Sequence, residues 1–462
     1  MGGVSMPGNY TSEDQRLREL QDIVTKVSAN LREAKNRNFE SSSIQDKGYY
    51  EIHVVTPMFG GSAEAGKVDG KHPIRSSSIR GHLRFWWRAT RGAQYNNEKE
   101  LYECESKIFG NTSSPSAVKI WIDQIRDVSP KSQKLNVSYV LFPFINNRQL
   151  TKYYENLSFR LYIEIQPWAD MNTRTEVEAA LWAWINFGGI GARTRRGCGS
   201  LYNKHFSLKE SEVHDDKLEK WFQDNLEKYK MDFLNQIKVR DWPTLSKITV
   251  QNNKKDIKYA WNEVIGVYKG YRRRANGGSE PGRPGRSHWP EADSIRKIAR
   301  KFETKHKDSI TISAEENEIA FPRAQFGLPI IFNFKSGRNT NPRERDPYPT
   351  ELVPSGIKSR LASPVITKAI AISDRQGYGA IIVLNQPKIN KLVLKRQKGP
   401  DLKTISEHQI YTSIPSYIER YKKNNPMRVD GKPYESAIEA FLNSEEVRKW
   451  QSEQNTKNPL KR

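Results

Sequence analysis

Cysteine is almost missing from this chain: Cys104 and Cys198 are the only two in 462 residues. That excludes a disulfide framework and a Cys-rich zinc site, and it suits a reducing cytoplasm. Long apolar runs are missing too. No stretch approaches the ~20 residues that a membrane-crossing helix needs. The opening, MGGVSMPGNY, has no apolar signal-peptide core and puts Met6 where a myristoylation signal wants Ser or Thr. No membrane partner is expected. Acidic residues are the third shortage: 53 Asp and Glu stand against 76 Lys and Arg, a net formal charge of +23. The excess is spread along the chain, which calls for a polyanionic partner, nucleic acid before anionic lipid.

What is present can build cores. Hydrophobic residues make up 36% of the chain and aromatics 10%, and the length suggests two domains of about 150 to 200 residues each. Ser12 to about Asn36 reads as an N-terminal helix with a capping box at Ser12 and Gln15. YYEIHVVTP alternates as a strand. Ser78 to Thr90 is helical; AVKIWI, VSYVLFPF and LSFRLYIEIQP are strand-like; TRTEVEAALWAWINFG is an amphipathic helix, and GSLYNKHFSL leaves it as a strand. This order suggests an α+β fold of two ferredoxin-like (RRM-like) domains with added helices. The expected division is a helical extension over residues 1–44, a first domain over 45–240, a second over 241–400, and a C-terminal helix and polar tail over 401–462. In the second half a helix capped by Asp293 or Ser294, a strand pair in SRLASPVITKAIAISDRQGYGAIIVLN and one helix over Tyr434 to Gln451 are expected. Arg375-Gln376-Gly377-Tyr378-Gly379 echoes Arg196-Gly197-Cys198-Gly199, as two related halves would.

The densest chemistry lies in GGIGARTRRGCGS, Gly188 to Ser200. A dinucleotide fingerprint needs its glycines between a strand and the helix that receives the pyrophosphate, and a P-loop needs Gly-Lys-Ser or Gly-Lys-Thr. Here the helix comes first and neither triplet follows, so mononucleotide binding is disfavoured. Glycines that expose backbone N–H groups, beside forked guanidinium donors, suit an extended phosphate backbone. The helix SSSIRGHLRFWWRATR places Ile79, His82, Leu83 and Trp86 on one side and Arg80, Arg84, Arg88 and Arg91 within about 80° of arc on another. Trp87 at the border could stack a base.

The candidate RNA contacts are Arg75, Arg80, Arg84, Trp87 and Arg88 of that helix and its lead-in. Gly188, Gly189, Gly191, Arg193, Thr194, Arg195, Arg196, Gly197 and Gly199 of the loop join them, with Arg273, Arg283, Arg286 and Trp289 of the basic segment RRRANGGSEPGRPGRSHWP. No metal or cofactor is called for. The rival reading is a metal-independent endoribonuclease whose general base is His53, His72 or His82, although no acid partner accompanies them.

TPMFGG, HPIRSSSIRGHLRFWWRA, GGIGARTRRGCGSL, GRPGRSHWPEADSIR, FPRAQFGLPI and RLASPVITKAI, in this order between Tyr49 and Pro387, resemble the RAMP superfamily. Within it they resemble the first-subunit family of the Cmr complex, the type III-B CRISPR RNA-guided effector. The resemblance implies two ferredoxin-like domains and a glycine-rich loop that approaches RNA. It further implies other Cmr subunits, guide RNA and target RNA as partners, near the guide 3′ region, with cutting left to other subunits. The chain lacks the Gly-Gly-Asp-Asp of the large cyclase-type subunit. It departs from the superfamily at Cys198, where an aromatic residue is usual.

Overall fold

The computed structural model describes residues 48–452 except 63, 65–66, 133–137, 142–151, 210–216, 236–237, 276–285, 304–318, 335–344, 397–399 and 414–423. The expected N-terminal helix, the polar tail, Arg283 and half of VSYVLFPF fall outside the described residues; Ser138–Leu141, within that last stretch, forms a helical turn rather than a strand.

Strand β1, Tyr50–Val54, buries Tyr50, Ile52 and Val54 and leaves Glu51 and His53 on its other face. Two helices follow. In α1, Ser76–Ala89, Ile79, Leu83, Trp86 and Trp87 are buried; α2, Glu98–Phe109, is capped by Asn97, whose side chain accepts the Glu100 N–H at 2.9 Å. Then come β2 (Val118–Arg126), β3 (Ser158–Ile165), α3 (Thr173–Phe187) and the two-residue β4 (Leu201–Tyr202). The sheet order is β2-β3-β1-β4, antiparallel throughout. The register sets Ile52 against Phe159 and Ile120 against Ile163, so one face is continuously apolar, and α1 and α3 cover it.

After α4, Lys217–Lys228, a second sheet holds β10 (Gln376–Asn385) between β9 (Val365–Ala371) on one side and β5 (Thr244–Val250) with the short β6 (Lys255–Asp256) on the other. Helix α5, Ile257–Arg272, is capped by the Asp256 carboxylate and packs on one face through Val264, Tyr268, Trp261 and Ile265. The opposite face, with Ile366, Ile370, Ala380, Ile382 and Leu384, joins the same core as Trp182 and Trp86. The two sheets therefore sandwich α1 and α3. Buried on both faces, β9 and β10 read as nearly unbroken apolar runs.

A third sheet was not expected from sequence. Its order is β12-β11-β8-β7, from Asp401–Ser406, Lys391–Arg396, Thr350–Pro354 and Ile330–Phe332, and it packs with Ile295 of α6, Glu291–Ala299. Hairpin β11–β12 straddles residue 400, so the chain does not divide there. Helix α6 starts after Pro290, not at Asp293 or Ser294. The single C-terminal helix is two, α7 (Ala437–Leu442) and α8 (Glu445–Ser452), separated by Asn443 and Ser444. Gly377 and Gly379 lie inside β10 against Ile257 and Trp450 rather than in a loop, so their echo of the first half is local. No helix among the described residues is long and apolar enough to cross a membrane.

Candidate nucleic-acid interface

Helix α3 ends where Gly188 donates its N–H to the Trp184 carbonyl at 2.9 Å. The following loop wedges between the two sheets. Gly197, at φ +71°, sits so close to α5 and β9 that a Cβ would lie 2.6 Å from Trp261 and 2.8 Å from the Lys368 Cα. Gly199 leaves no more room: a Cβ would meet the Ile190 carbonyl at 2.0 Å. The Thr56 hydroxyl donates to the Gly197 carbonyl at 2.6 Å, and the Trp261 indole donates to the Arg196 carbonyl at 2.7 Å. Close packing, rather than approach to a phosphate, thus explains these two glycines. Cys198 is fully buried with Val55, Phe59 and Trp261, away from any stacking surface.

The three loop arginines separate. Arg196 is only 7% exposed. It donates to the Val365 carbonyl at 2.7 Å and to the Tyr268 hydroxyl at 2.8 Å, with its guanidinium 4.3 Å from the Tyr268 ring centre. The expected phosphate contact is corrected to a clamp between the sheets. Arg193 donates through Nε to the Val140 carbonyl at 3.0 Å. Arg195 donates to the Ser363 carbonyl and lies 5.8 Å from the Phe85 ring centre. Burial, and after it the neighbouring Arg196 charge, pull the Arg195 guanidinium down to about 10. Among the described residues no carboxylate pairs with Arg193, Arg195 or Arg196.

The α1 arginines present the opposite picture. Arg84 and Arg88 share one Glu105 carboxylate oxygen, each at 2.5 Å. Arg80 donates to the Phe109 carbonyl at the end of α2, and Arg91 pairs with Glu176. The stripe faces α2 and α3, not an open groove. Trp87, expected as a stacking platform, is fully buried and donates its indole N–H to Glu176 at 2.7 Å. Trp289 is likewise buried, on the Tyr271 carbonyl at 3.2 Å. Arg286 reaches Asp293 at 3.4 Å. Arg75 sits at the surface with Asp69, whose carboxyl is held down to about 2 by the His72 and Lys71 backbone N–H groups, with Arg75 adding to them. Arg273 is exposed at the end of α5.

Where α1 meets the loop, a recess of about 270 Å³ opens. Phe85, Trp86, Phe187 and Ile366 form its apolar walls; Gly188 and Gly189 supply backbone, and His82, Thr194 and Arg195 supply polar groups. The His82 ring stacks on Trp184 with centres 6.1 Å apart, and burial holds its pKa below the usual value. His53 lies beside Tyr202 on the outer face of the first sheet, and His72 donates its backbone N–H to Asp69. None of these histidines pairs with a carboxylate through its side chain, and no group of three or more His, Cys, Asp or Glu suited to a metal exists among the described residues. Sequence reasoning missed Lys368. Fully buried in β9, it donates to the Ile185 and Gly188 carbonyls at 3.1 and 2.8 Å, and burial pulls its amine down to about 7. The only signal was one lysine inside VITKAIA.

Residues 51–202 match the family model described as RAMP superfamily. The chain is 34% identical over 139 residues to CRISPR system Cmr subunit Cmr1-1 of Pyrococcus furiosus, an alignment covering 28% of this chain and 40% of that one. It is 29% identical over 177 residues to Cmr subunit Cmr1-2 of the same organism, covering 33% of this chain and 92% of that one. The crystal structure of Cmr1 from Pyrococcus furiosus in its apo form aligns with 74% of this chain and 88% of that chain, at 20% identity and a TM-score of 0.42.

Proposed function

We propose that this chain, which belongs to the RAMP superfamily and is of the Cmr subunit 1 type, is a non-catalytic RNA-binding subunit of a type III-B CRISPR effector. It works in the cytoplasm, at one end of the assembly beside other Cmr subunits, and holds guide RNA near its 3′ region, target RNA, or both. The observation that carries RNA binding is the loop itself: Arg193 and Arg195, with the clamped Arg196 behind them, gather at the junction of two sheets with no carboxylate among the described residues to neutralise them. Such an uncompensated positive region attracts a polyanion. The two halves are read as ferredoxin-like units. The first follows β-α-β-β-α-β with sheet order 4-1-3-2, and the second keeps β5, β9 and β10 in the corresponding places, with the third sheet as an insertion.

The test is an anisotropy titration of the full chain with labelled single-stranded RNA across a range of salt. Each neutralised single-strand phosphate contributes a log-log slope of about 0.7. A flat salt response would reassign the chain to a cap that contacts neighbouring subunits only. Incubation with RNA in EDTA is expected to leave the RNA intact; cleavage abolished by His82→Ala would establish the endoribonuclease instead.

A further inference from the structure

We propose that the recess between α1 and the glycine-rich loop takes one unstacked keto base, uracil or guanine, of single-stranded RNA. This rests on the RNA-binding reading and adds to it a site that reads base identity.

Size is the first argument. At about 270 Å³ the recess falls just under the ~300–1,000 Å³ of pockets that hold drug-sized ligands, so it accommodates one base and not two. Its walls are the second. Phe85, half-buried, offers a flat apolar surface of the kind on which a base face packs, and Trp86, Phe187 and Ile366, nearly or fully buried, close the recess behind it.

The polar groups decide which base. Trp86 is 3% exposed, and its indole N–H has no protein acceptor among the described residues. Buried indoles normally find one, as those of Trp87, Trp184, Trp261 and Trp289 do here. Trp182 and Trp450 also lack an acceptor, but their nitrogens are sealed inside the protein. The Trp86 nitrogen instead borders the recess, because Gly188 has no side chain: a Cβ there would lie 2.4 Å from it. Thr194 lines the same recess and its hydroxyl has no hydrogen-bond partner among the described residues; Arg195 adds a guanidinium that meets one carbonyl and, among the described residues, no carboxylate.

The Trp86 indole and the Arg195 guanidinium can only donate, whereas the Thr194 hydroxyl and the neutral His82 ring can donate or accept. Uracil O2 and O4, or guanine O6 and N7, satisfy the two fixed donors together; in cytosine and adenine an amino group faces one of them. A phosphate would also accept from Arg195, but it has no use for three aromatic walls.

The experiment compares six-residue oligouridylate, oligocytidylate and oligoadenylate on the full chain at low salt, by anisotropy. Oligouridylate is expected to bind about fivefold or more tightly than oligocytidylate, the size of one well-placed base contact. With 5-fluorouridine in the oligomer, a shifted ¹⁹F line is expected on binding. Thr194→Val removes one hydroxyl with little change of shape, and Trp86→Phe removes the indole N–H at the cost of a smaller ring in the core. Either variant that keeps its melting temperature should bring the uridine-to-cytidine ratio toward one and abolish the shifted line. Equal affinity of the wild type for all three oligomers overturns the base site while RNA binding stands. A preference unchanged in both folded variants also overturns it. Absence of binding to any oligomer removes the RNA reading together with the base site.

Discussion

The arginines of α1 and those of the glycine-rich loop look alike in sequence, each set dense and aromatic-flanked, yet the fold gives them different electrostatic surroundings. On α1, Arg84 and Arg88 converge on Glu105 and Arg91 on Glu176. These ions cancel locally and fasten α1 to its neighbours. In the loop, Arg193, Arg195 and Arg196 meet carbonyls, a phenol and aromatic rings, but no acid among the described residues. Positive charge that is uncancelled and only half-buried, as at Arg193 and Arg195, is available to a polyanion, whereas the paired charge of α1 and the buried Arg196 are structural. The difference follows from partners distant in sequence, not from the arginines themselves.

The largest expected effect that sharpens this contrast is Glu105→Ala. Its side chain is 4% exposed, while Arg84 and Arg88 are 29% and 34% exposed. The loss is expected at about 3 kcal/mol, the lower end for a broken buried pair, because both arginines can reach water. Denaturant unfolding would measure it, and RNA affinity of the folded fraction should not fall. A stability change near zero would return the α1 stripe to the surface. Next comes Arg196→Ala, expected to cost about 2–3 kcal/mol for two charge-assisted hydrogen bonds, those to Val365 and Tyr268. Stability unaffected by this variant would refute the clamp.

Arg195→Ala tests the other side of the comparison. It loses one carbonyl contact, about 1 kcal/mol, but should weaken RNA binding and lower the salt slope by about 0.7. Arg84→Ala should leave the slope unchanged. If the two variants affected the slope equally, the distinction between paired and unpaired arginines would carry no functional meaning.

Local pattern made much of the fold legible. Period-two alternation in Tyr50–Val54 and helical spacing in Ser76–Ala89 are set by one buried face each, and the sequence records one face directly. The paired strands β9 and β10 were legible for a related reason, since apolar runs joined by a short turn leave few alternatives. The third sheet was not, because its strands are only 3 to 6 residues long, a polar segment separates β7 from β8, and the whole of β9 and β10 separates β8 from its partner β11. Trp87 and Trp289 were misread for the same reason: the acceptors that bury them, Glu176 and the Tyr271 carbonyl, lie outside their own local patterns. The glycine-rich loop stood out in the sequence by composition, but the tight contacts of Gly197 and Gly199 come from β9, α5 and Ile190, which no local spacing reveals.

Lys368 offers the smallest effect and a test of the junction itself. Its amine, pulled down to about 7 by burial, is neutral in the folded chain above that pH, while in the unfolded chain it stays protonated up to its ordinary value near 10.4. Between these limits the unfolded state binds more protons, so stability from this group rises with pH and is lost as pH falls toward 7. Cys198 acts in the opposite direction: burial pushes its thiol up to about 12, so stability is lost as the unfolded thiol ionises above about 8.5. The two separate by comparing wild type with Lys368→Met between about pH 7 and 9, since the thiol contributes equally to both. The wild type should gain stability relative to the variant as pH rises. The gain should be modest, because the amine sits at the C-terminal end of α3 on the Ile185 and Gly188 carbonyls, where the helix dipole favours the cation and offsets part of the burial. A stability difference that stays flat over this range would mean that Lys368 remains charged in the fold, adding a further uncancelled cation beside the loop.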